Sequence, residues 1–344
     1  MNQEPRFPPG FWPIWSTVAL DLLGFGIIIP LLPLYAKEFG ATPFHVGLLL
    51  AAYSLGQFLM SPVWGRLSDR VGRKPILMVT VAGSCIGSLV LGLAGSLPLL
   101  FVGRLIDGIS GASVAVARAT VADVATPDRR AKLMGLLGAA FGLGFVIGPA
   151  VGSVAARFGA SAPFFLAAGR AFLNLISIIV RVKETRAVAT ARSRGLDRKS
   201  ASHRVRRLAL LTLIAVGAFS AFEATFSLLA EERLGVDETT IGFVFTALGV
   251  LLVITQGALV GPAVARFGEA GLIRIGLVLN IAGFGAIAVA ETWTVLVPGL
   301  LTLALGQGFI TPALSSSVAL HADPGATGAA LGVQESAGGL ARVV

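Results

Sequence analysis

Along the chain, long apolar runs alternate with short polar breaks, and each run has the length of a bilayer crossing. Predominantly apolar stretches of about 20 residues span the hydrocarbon as helices, because a helix satisfies its own backbone groups where water cannot. Eleven such stretches are read, near residues 11–33, 45–64, 75–95, 98–120, 133–156, 162–182, 207–230, 240–262, 270–290, 293–318 and 326–344. They predict an all-α membrane protein. The first run has no small-residue cleavage site and leads straight into another span, so it reads as an anchor and not as a removable signal. Trp12 and Trp15 at its start suit an interfacial aromatic belt.

The breaks carry the charge, and they carry it unevenly. With the N-terminus placed in the cytoplasm, the inside segments hold 20 of the 27 Lys and Arg, ten of them between Arg181 and Arg207. The outside loops hold only Lys37, Arg157 and Arg233. This positive-inside bias sets the topology and accounts for the net charge of +9 without a nucleic-acid partner. A composition of 55% hydrophobic and 13% charged residues requires lipid as solvent. The 43 glycines lie largely inside the apolar runs, where small residues let helices approach. Cys85 stands alone in such a run, so the sequence offers no disulfide framework and no metal spacing. His45, His203 and His321 fall in expected loops and read as solvated.

The two halves of the chain resemble each other. The segment from Val46 (VGLLLAAYSLGQFLMSPVWGRLSDRVG) matches the one from Ile241 (IGFVFTALGVLLVITQGALVGPAVARFG) at an offset near 196, with one residue of slip. Further on, Gly111, Pro127 and Gly135 correspond to Gly308, Pro324 and Gly332. The expected domains are an N-terminal six-helix bundle over 1–182, a basic cytoplasmic linker over 183–206 and a second bundle over 207–344. Such a repeat is a transporter plan, with a site between the halves and alternating access by rocking. The same offset puts the partners of Gly148 and Pro149 past Val344. The second bundle is therefore expected to be truncated within helix eleven.

Three segments carry motif-level signals. GRLSDRVGRKPIL, Gly65 to Leu77, lies between spans two and three. It resembles, at every specified position, the signature loop of the major facilitator superfamily. Its glycines permit a tight turn, and Asp69 among Arg70, Arg73 and Lys74 can form ion pairs that rearrange as the halves rock. The resemblance implies a conformational-switch loop of Gly65, Asp69, Arg70, Gly72, Arg73 and Lys74. It sets Asp69 near the N-terminus of the eleventh helix and pairs Asp123 with Arg73. Span four carries GRLIDGISG, similar to the family's R-x-x-x-G motif, with Arg104 and Asp107 three residues apart on one helix face. Span five carries Gly135, Gly144, Gly148, Pro149 and Gly152, resembling the antiporter motif of the drug-exporting branch, with Ser153 where a final Gly is usual. Pro149 removes a backbone bond and the glycines allow close packing, so a hinge is expected there. Span one, with Asp21, Gly24, Gly26, Pro30 and Pro33, resembles the first helix of tetracycline/proton and multidrug exporters.

Ionisable residues inside spans are unfavourable by roughly 2.5 to 3.5 kcal/mol each at a helix centre, so Asp21, Arg104, Asp107, Arg118, Arg170 and Glu223 should face a polar cavity or one another. Asp21, Glu223, Arg104 and Asp107 are the proton-coupling candidates. Seven phenylalanines, Phe141, Phe145, Phe219, Phe222, Phe226, Phe243 and Phe245, are candidates for lining a cavity for aromatic or lipophilic cations, though most of them read as lipid-facing or core. No phosphate-binding loop and no nucleophile, base or metal constellation is present, so neither ATP drive nor an enzyme is expected, and no cofactor is needed. The resemblance implies proton-coupled export of small amphipathic compounds by a monomer in the cell inner (plasma) membrane, with the N-terminus cytoplasmic. The partners are the substrate, protons and the bilayer. A metabolite or sugar exporter, or an inactive truncated remnant, is the alternative.

Overall fold

The computed structural model describes residues 7–8, 10–185, 203–235, 238–323 and 325–342. They form helices α1 (Phe11–Lys37), α2 (Pro43–Val71), α3 (Arg73–Gly92), α4 (Leu97–Ser110), α5 (Ser113–Val124), α6 (Pro127–Ala156), α7 (Ala162–Arg181), α8 (His203–Leu234), α9 (Glu238–Ile254), α10 (Val260–Ala288), α11 (Trp293–His321) and α12 (Thr327–Ala341). A π-helical turn, Thr255–Leu259, joins α9 to α10. No strand occurs among the described residues. Local sequence explains several starts. Thr42 and His45 cap α2 reciprocally, and Pro98 and Pro163 open α4 and α7 where a missing N–H costs nothing.

Nine helical stretches among the described residues are long and apolar enough to cross a membrane. The longest, Phe243–Ala288, would measure about 69 Å as a straight helix, against a hydrocarbon core of about 30 Å. It is broken at Gly268, where φ is 67° and ψ 169°. Gly72, its counterpart in the repeat, stands between α2 and α3 with φ 118° and ψ 160°. Both positions need a left-handed backbone, so the same break recurs in both halves for the same reason. Their outer surface is apolar. Phe158, Val180 and Ile281 are 84%, 75% and 72% exposed, as side chains facing acyl chains should be.

Several boundaries differ from the sequence reading. Residues 65–71 of the signature segment belong to α2, and only Gly72 lies between helices, because helix hydrogen bonds hold as well in charged turns as in apolar ones. Span four is interrupted at Gly111 and Ala112, which separate α4 from α5. The helix α6 passes through Pro149 without a break. The helix α8 starts at His203, inside the expected linker, and 186–202 lie outside the described residues. His45 is part of a helix cap, and His321 ends α11 with Nδ1 2.8 Å from the Ser317 carbonyl, so neither is a loop histidine.

Glycine sets the tightest crossings. A Cβ on Gly148 would lie 2.6 Å from Gly26 Cα, and one on Gly26 would lie 2.3 Å from the Gly144 carbonyl oxygen, so α1 and α6 meet backbone to backbone. The halves touch in the same manner at two repeat-related places. A Cβ on Gly332 would come within 2.5 Å of the Ser61 carbonyl, and one on Gly135 within 2.4 Å of the Gln256 carbonyl. Gly332 corresponds to Gly135 and Ser61 to Gln256, so α2 against α12 and the π-turn against α6 are one crossing made twice. Replacing Gly148 with Val should overpack α1 against α6 by about 1–3 kcal/mol and lower the thermal unfolding midpoint in detergent by roughly 2 to 10 °C. Gly47→Ala, with nothing within 4 Å, should leave it unchanged. Equal midpoints for the two variants would show that the crossing is not tight.

Candidate functional site

A narrow cavity of about 60 Å³ opens where the halves meet. Its walls come from Asp21 on α1, Tyr53 and Gln57 on α2, Ser84 on α3, Asp107 on α4, Arg118 on α5, Arg170 on α7, and Glu335 and Arg342 at α12. That volume holds a few water molecules. A drug-sized ligand needs about 300 Å³ or more, so the walls must part to admit one.

The charges around the cavity are paired. Arg170 Nη1 lies 3.9 Å from Asp21 Oδ1 and also donates to the Leu20 carbonyl, while the Ser113 hydroxyl donates to Asp21. Arg104 Nη1 lies 3.4 Å from Asp107 Oδ2, its guanidinium sits 4.4 Å from the centre of the Tyr53 ring, and Ser84 bonds Asp107. One helical turn separates Arg104 from Asp107, and Gly108 lets α2 approach closely enough to bring Tyr53 over the guanidinium. At the cavity two polar side-chain contacts cross between the halves: Arg118 Nη1 is 2.7 Å from Glu335 Oε2, and Arg342 Nη1 donates to Gln57 Oε1 at 3.2 Å. In a low-dielectric interior each charge needs such a partner, because one left alone is strongly unfavourable.

The sequence-derived residues fall in three places. Asp21 and Asp107 line the cavity, and Arg104 is paired with Asp107 behind its wall. Glu223 stands apart on α8 with its side chain accessible, and Arg342 is the charge that acts on it. Among the motif glycines, Gly144, Gly148 and Gly152 face α1, whereas Gly135 faces the π-turn. Phe219, Phe222, Phe226 and Phe245 pack with Phe284 as an aromatic core of the second half, and Phe243 points outward. The side chains of Phe141 and Phe145 lie outside the described residues. The reading missed Glu335 and Arg342. The signal was available, since Glu335 is a carboxylate within the small-residue run TGAALGVQESAGGLA, as conspicuous there as Asp21 is in span one.

At one end of the bundle the signature segment closes against α12. Asp69 accepts from the backbone N–H of Gly328 at 2.9 Å and of Ala329 at 2.7 Å, on the first turn of α12, where unpaired amides and the helix dipole favour an anion. Arg73, 2% exposed, bridges Asp69 at 2.8 Å and Asp123 at 2.8 Å. Glu184 accepts from the N–H groups of Arg73 and Lys74 and so caps α3. The Lys74 ammonium donates to the Ile179 carbonyl, and Arg70 is exposed.

Residues 14–344 match the family model described as Major Facilitator Superfamily. The chain belongs to this superfamily. It is 33% identical to the class B tetracycline resistance protein of Escherichia coli over 329 residues, covering 91% of this chain and 81% of that one. It is 31% identical to the class H tetracycline resistance protein of Pasteurella multocida, covering 92% and 82%. Multidrug resistance protein 2 of Bacillus subtilis (strain 168) is 30% identical, covering 86% and 75%. Among solved structures, the human organic anion transporter MFSD10 (TETRAN) superposes with a TM-score of 0.86 at 27% identity, covering 97% and 91%. The proton:xylose symporter XylE, at a TM-score of 0.78 and 17% identity over 97% and 86%, shares the fold. The major facilitator chain is thus a multi-pass membrane transporter whose two halves are held closed at the signature end.

Ser61, buried beneath Gly332, reports on that closure. In a Cys85→Ser background, Ser61→Cys should resist a membrane-impermeant maleimide. Adding Asp69→Asn removes the anion from the α12 terminus, worth about 1 kcal/mol, and should speed labelling roughly fivefold. An unchanged rate would mean that Asp69 does not hold the crossing shut.

Proposed function

We propose that this chain is a secondary active exporter that moves small amphipathic drugs outward in exchange for protons by alternating access. The observation that carries the reading is the cavity itself: carboxylates paired with arginines, walled by both repeat-related halves, in a chain a third identical to a tetracycline resistance protein over nine tenths of its length. A proton arriving there can only act by neutralising a carboxylate and freeing its arginine, which is the exchange a proton-driven cycle needs.

The bundles are assigned to 1–182 and 207–344, joined by the basic segment 183–206, with the N-terminus and that segment in the cytoplasm of a plasma (inner) membrane. The 20 inside cations support this orientation. The signature end is then the cytoplasmic end, and the closed crossing of α2 on α12 corresponds to an outward-facing or occluded state. A monomer suffices, because one chain supplies every wall of the cavity.

Asp21 is assigned the proton that drives export, since its two partners, Ser113 and Arg170, both come from the first half and hold it at the cavity. Arg104 and Asp107 set the local field from one turn away. Glu223, facing Arg342 from α8, is assigned the second proton position. In proteoliposomes with an imposed pH gradient, Asp21→Asn should reduce drug export at least tenfold, and Glu223→Gln should reduce it by a smaller factor. Full gradient-driven export in both variants would remove the assignment.

A further inference from the structure

We propose that Glu335 is the carboxylate whose protonation unlocks the cytoplasmic side, its ion pair with Arg118 being the bolt between the halves. The inference rests on the proton-coupled reading above and gives it a mechanical step.

One face of α12 meets the first half at three levels, seven residues apart. Gly328 and Ala329 donate to Asp69, Glu335 pairs with Arg118, and Arg342 donates to Gln57. Ser336 adds a bond of 2.7 Å to the Phe58 carbonyl beside the middle level, and Gly332 and Gly339 bring the backbones together between levels. The cytoplasmic side opens only if all three levels part. At the first, Asp69 gives up two neutral backbone amides and keeps its cation, Arg73, within its own half. At the third, the partner of the arginine is a neutral amide. Only the middle level pulls two opposite charges apart, on side chains 17% and 9% exposed. It therefore requires a chemical event before it parts.

A proton supplies that event. Glu335 lines the same cavity as Asp21, so a proton reaching one reaches the other. The charged and titratable groups that share its cavity are Arg118 from α5, Tyr53 from α2, Asp21 from α1, Asp107 from α4 and Arg170 from α7, with Arg342 just past the end of its own helix, while Glu223 on α8 stands outside the cavity and acts on Arg342. Asp21 and Asp107 already have Arg170 and Arg104 within their own half, so protonating either leaves the contact between halves intact. Glu335 alone of the three cavity carboxylates has its cation across the interface. The carboxylate takes up one proton from the outward side and becomes a neutral acid, and Arg118 is released to the water that enters as α12 leaves. The acid then loses that proton to the cytoplasm, and the returning pair closes the side again. No bond other than O–H forms or breaks.

The test uses the full chain with Cys85→Ser, spin labels on cysteines replacing Arg66 and Thr327, and distance measurement in nanodiscs between pH 5.5 and 8.5. The unaltered protein should be mainly short-distance at alkaline pH and shift to long distance in acid. Glu335→Gln should be long-distance throughout, with the open-to-closed ratio at pH 8.5 raised at least tenfold, and Glu335→Asp should recover the pH response. A Glu335→Gln protein that keeps the pH response of the unaltered chain overturns the proposal, as does one that stays closed at every pH, even where pH-driven export by the unaltered chain upholds the underlying reading. An unaltered chain without pH-driven export would overturn that reading and this step with it.

Discussion

Everything in this molecule hangs on how closely α12 lies against α2. Helices in lipid gain nothing from burying apolar side chains against each other that lipid tails do not already provide, so association depends on backbone proximity and on polar bonds made without water. Gly65, Gly328 and Gly332 remove the side chains that would hold the two helices apart. Once the backbones touch, Asp69 reaches the amides of Gly328 and Ala329, Glu335 reaches Arg118, and Arg342 reaches Gln57. These bonds set the registry. The glycines permit the approach and the charges fix where it stops.

The repeat explains why this contact has a twin and why the twin is different. The π-turn crosses α6 as α2 crosses α12, with Gly135 and Gln256 in the places of Gly332 and Ser61. Geometry is therefore duplicated while chemistry is not. The second copy has Ala265 where the first has Asp69, and Glu269, bonded to Ser316, where the first has Arg73. The first crossing carries an ion pair between the halves, Arg118 with Glu335, and a carboxylate on a helix terminus, whereas at the second Glu269 acts on Arg130 of α6 and Gln256 lies against Gly135. The ion pairs Arg170–Asp21 and Arg104–Asp107 stay inside the first half and move with it.

Much of this was legible in the residues. Apolar length gives the spans, and the match of Gly72 to Gly268 gives a break in the backbone that the structure repeats with φ of 118° and 67°. Asp69, Arg73 and Asp123 could be assigned to one another because a motif ties their spacing to a known arrangement. Contacts between distant spans were harder to read. That Arg118 meets Glu335, 217 positions away, depends on how two helices rotate about their axes, and no local pattern encodes it. The extent of α2 was misjudged because polarity ends an apolar run without ending a helix. Of the aromatic residues, readable as cavity, lipid-facing or core, Phe222, Phe226 and Phe245 fill a core and Phe243 faces outward, a choice that composition does not make because it says what a side chain can contact and not which way its helix faces.

The central claim is that α12 must leave α2 for transport to occur, and a reversible bridge between them tests it most directly. Cysteines replacing Arg66 and Thr327 in the Cys85→Ser chain would be joined by a short cleavable cross-linker in proteoliposomes, and gradient-driven drug export measured before and after cleavage. The account predicts export falling to background when the bridge is intact and returning when it is cut. Export at the full rate through an intact bridge would contradict it.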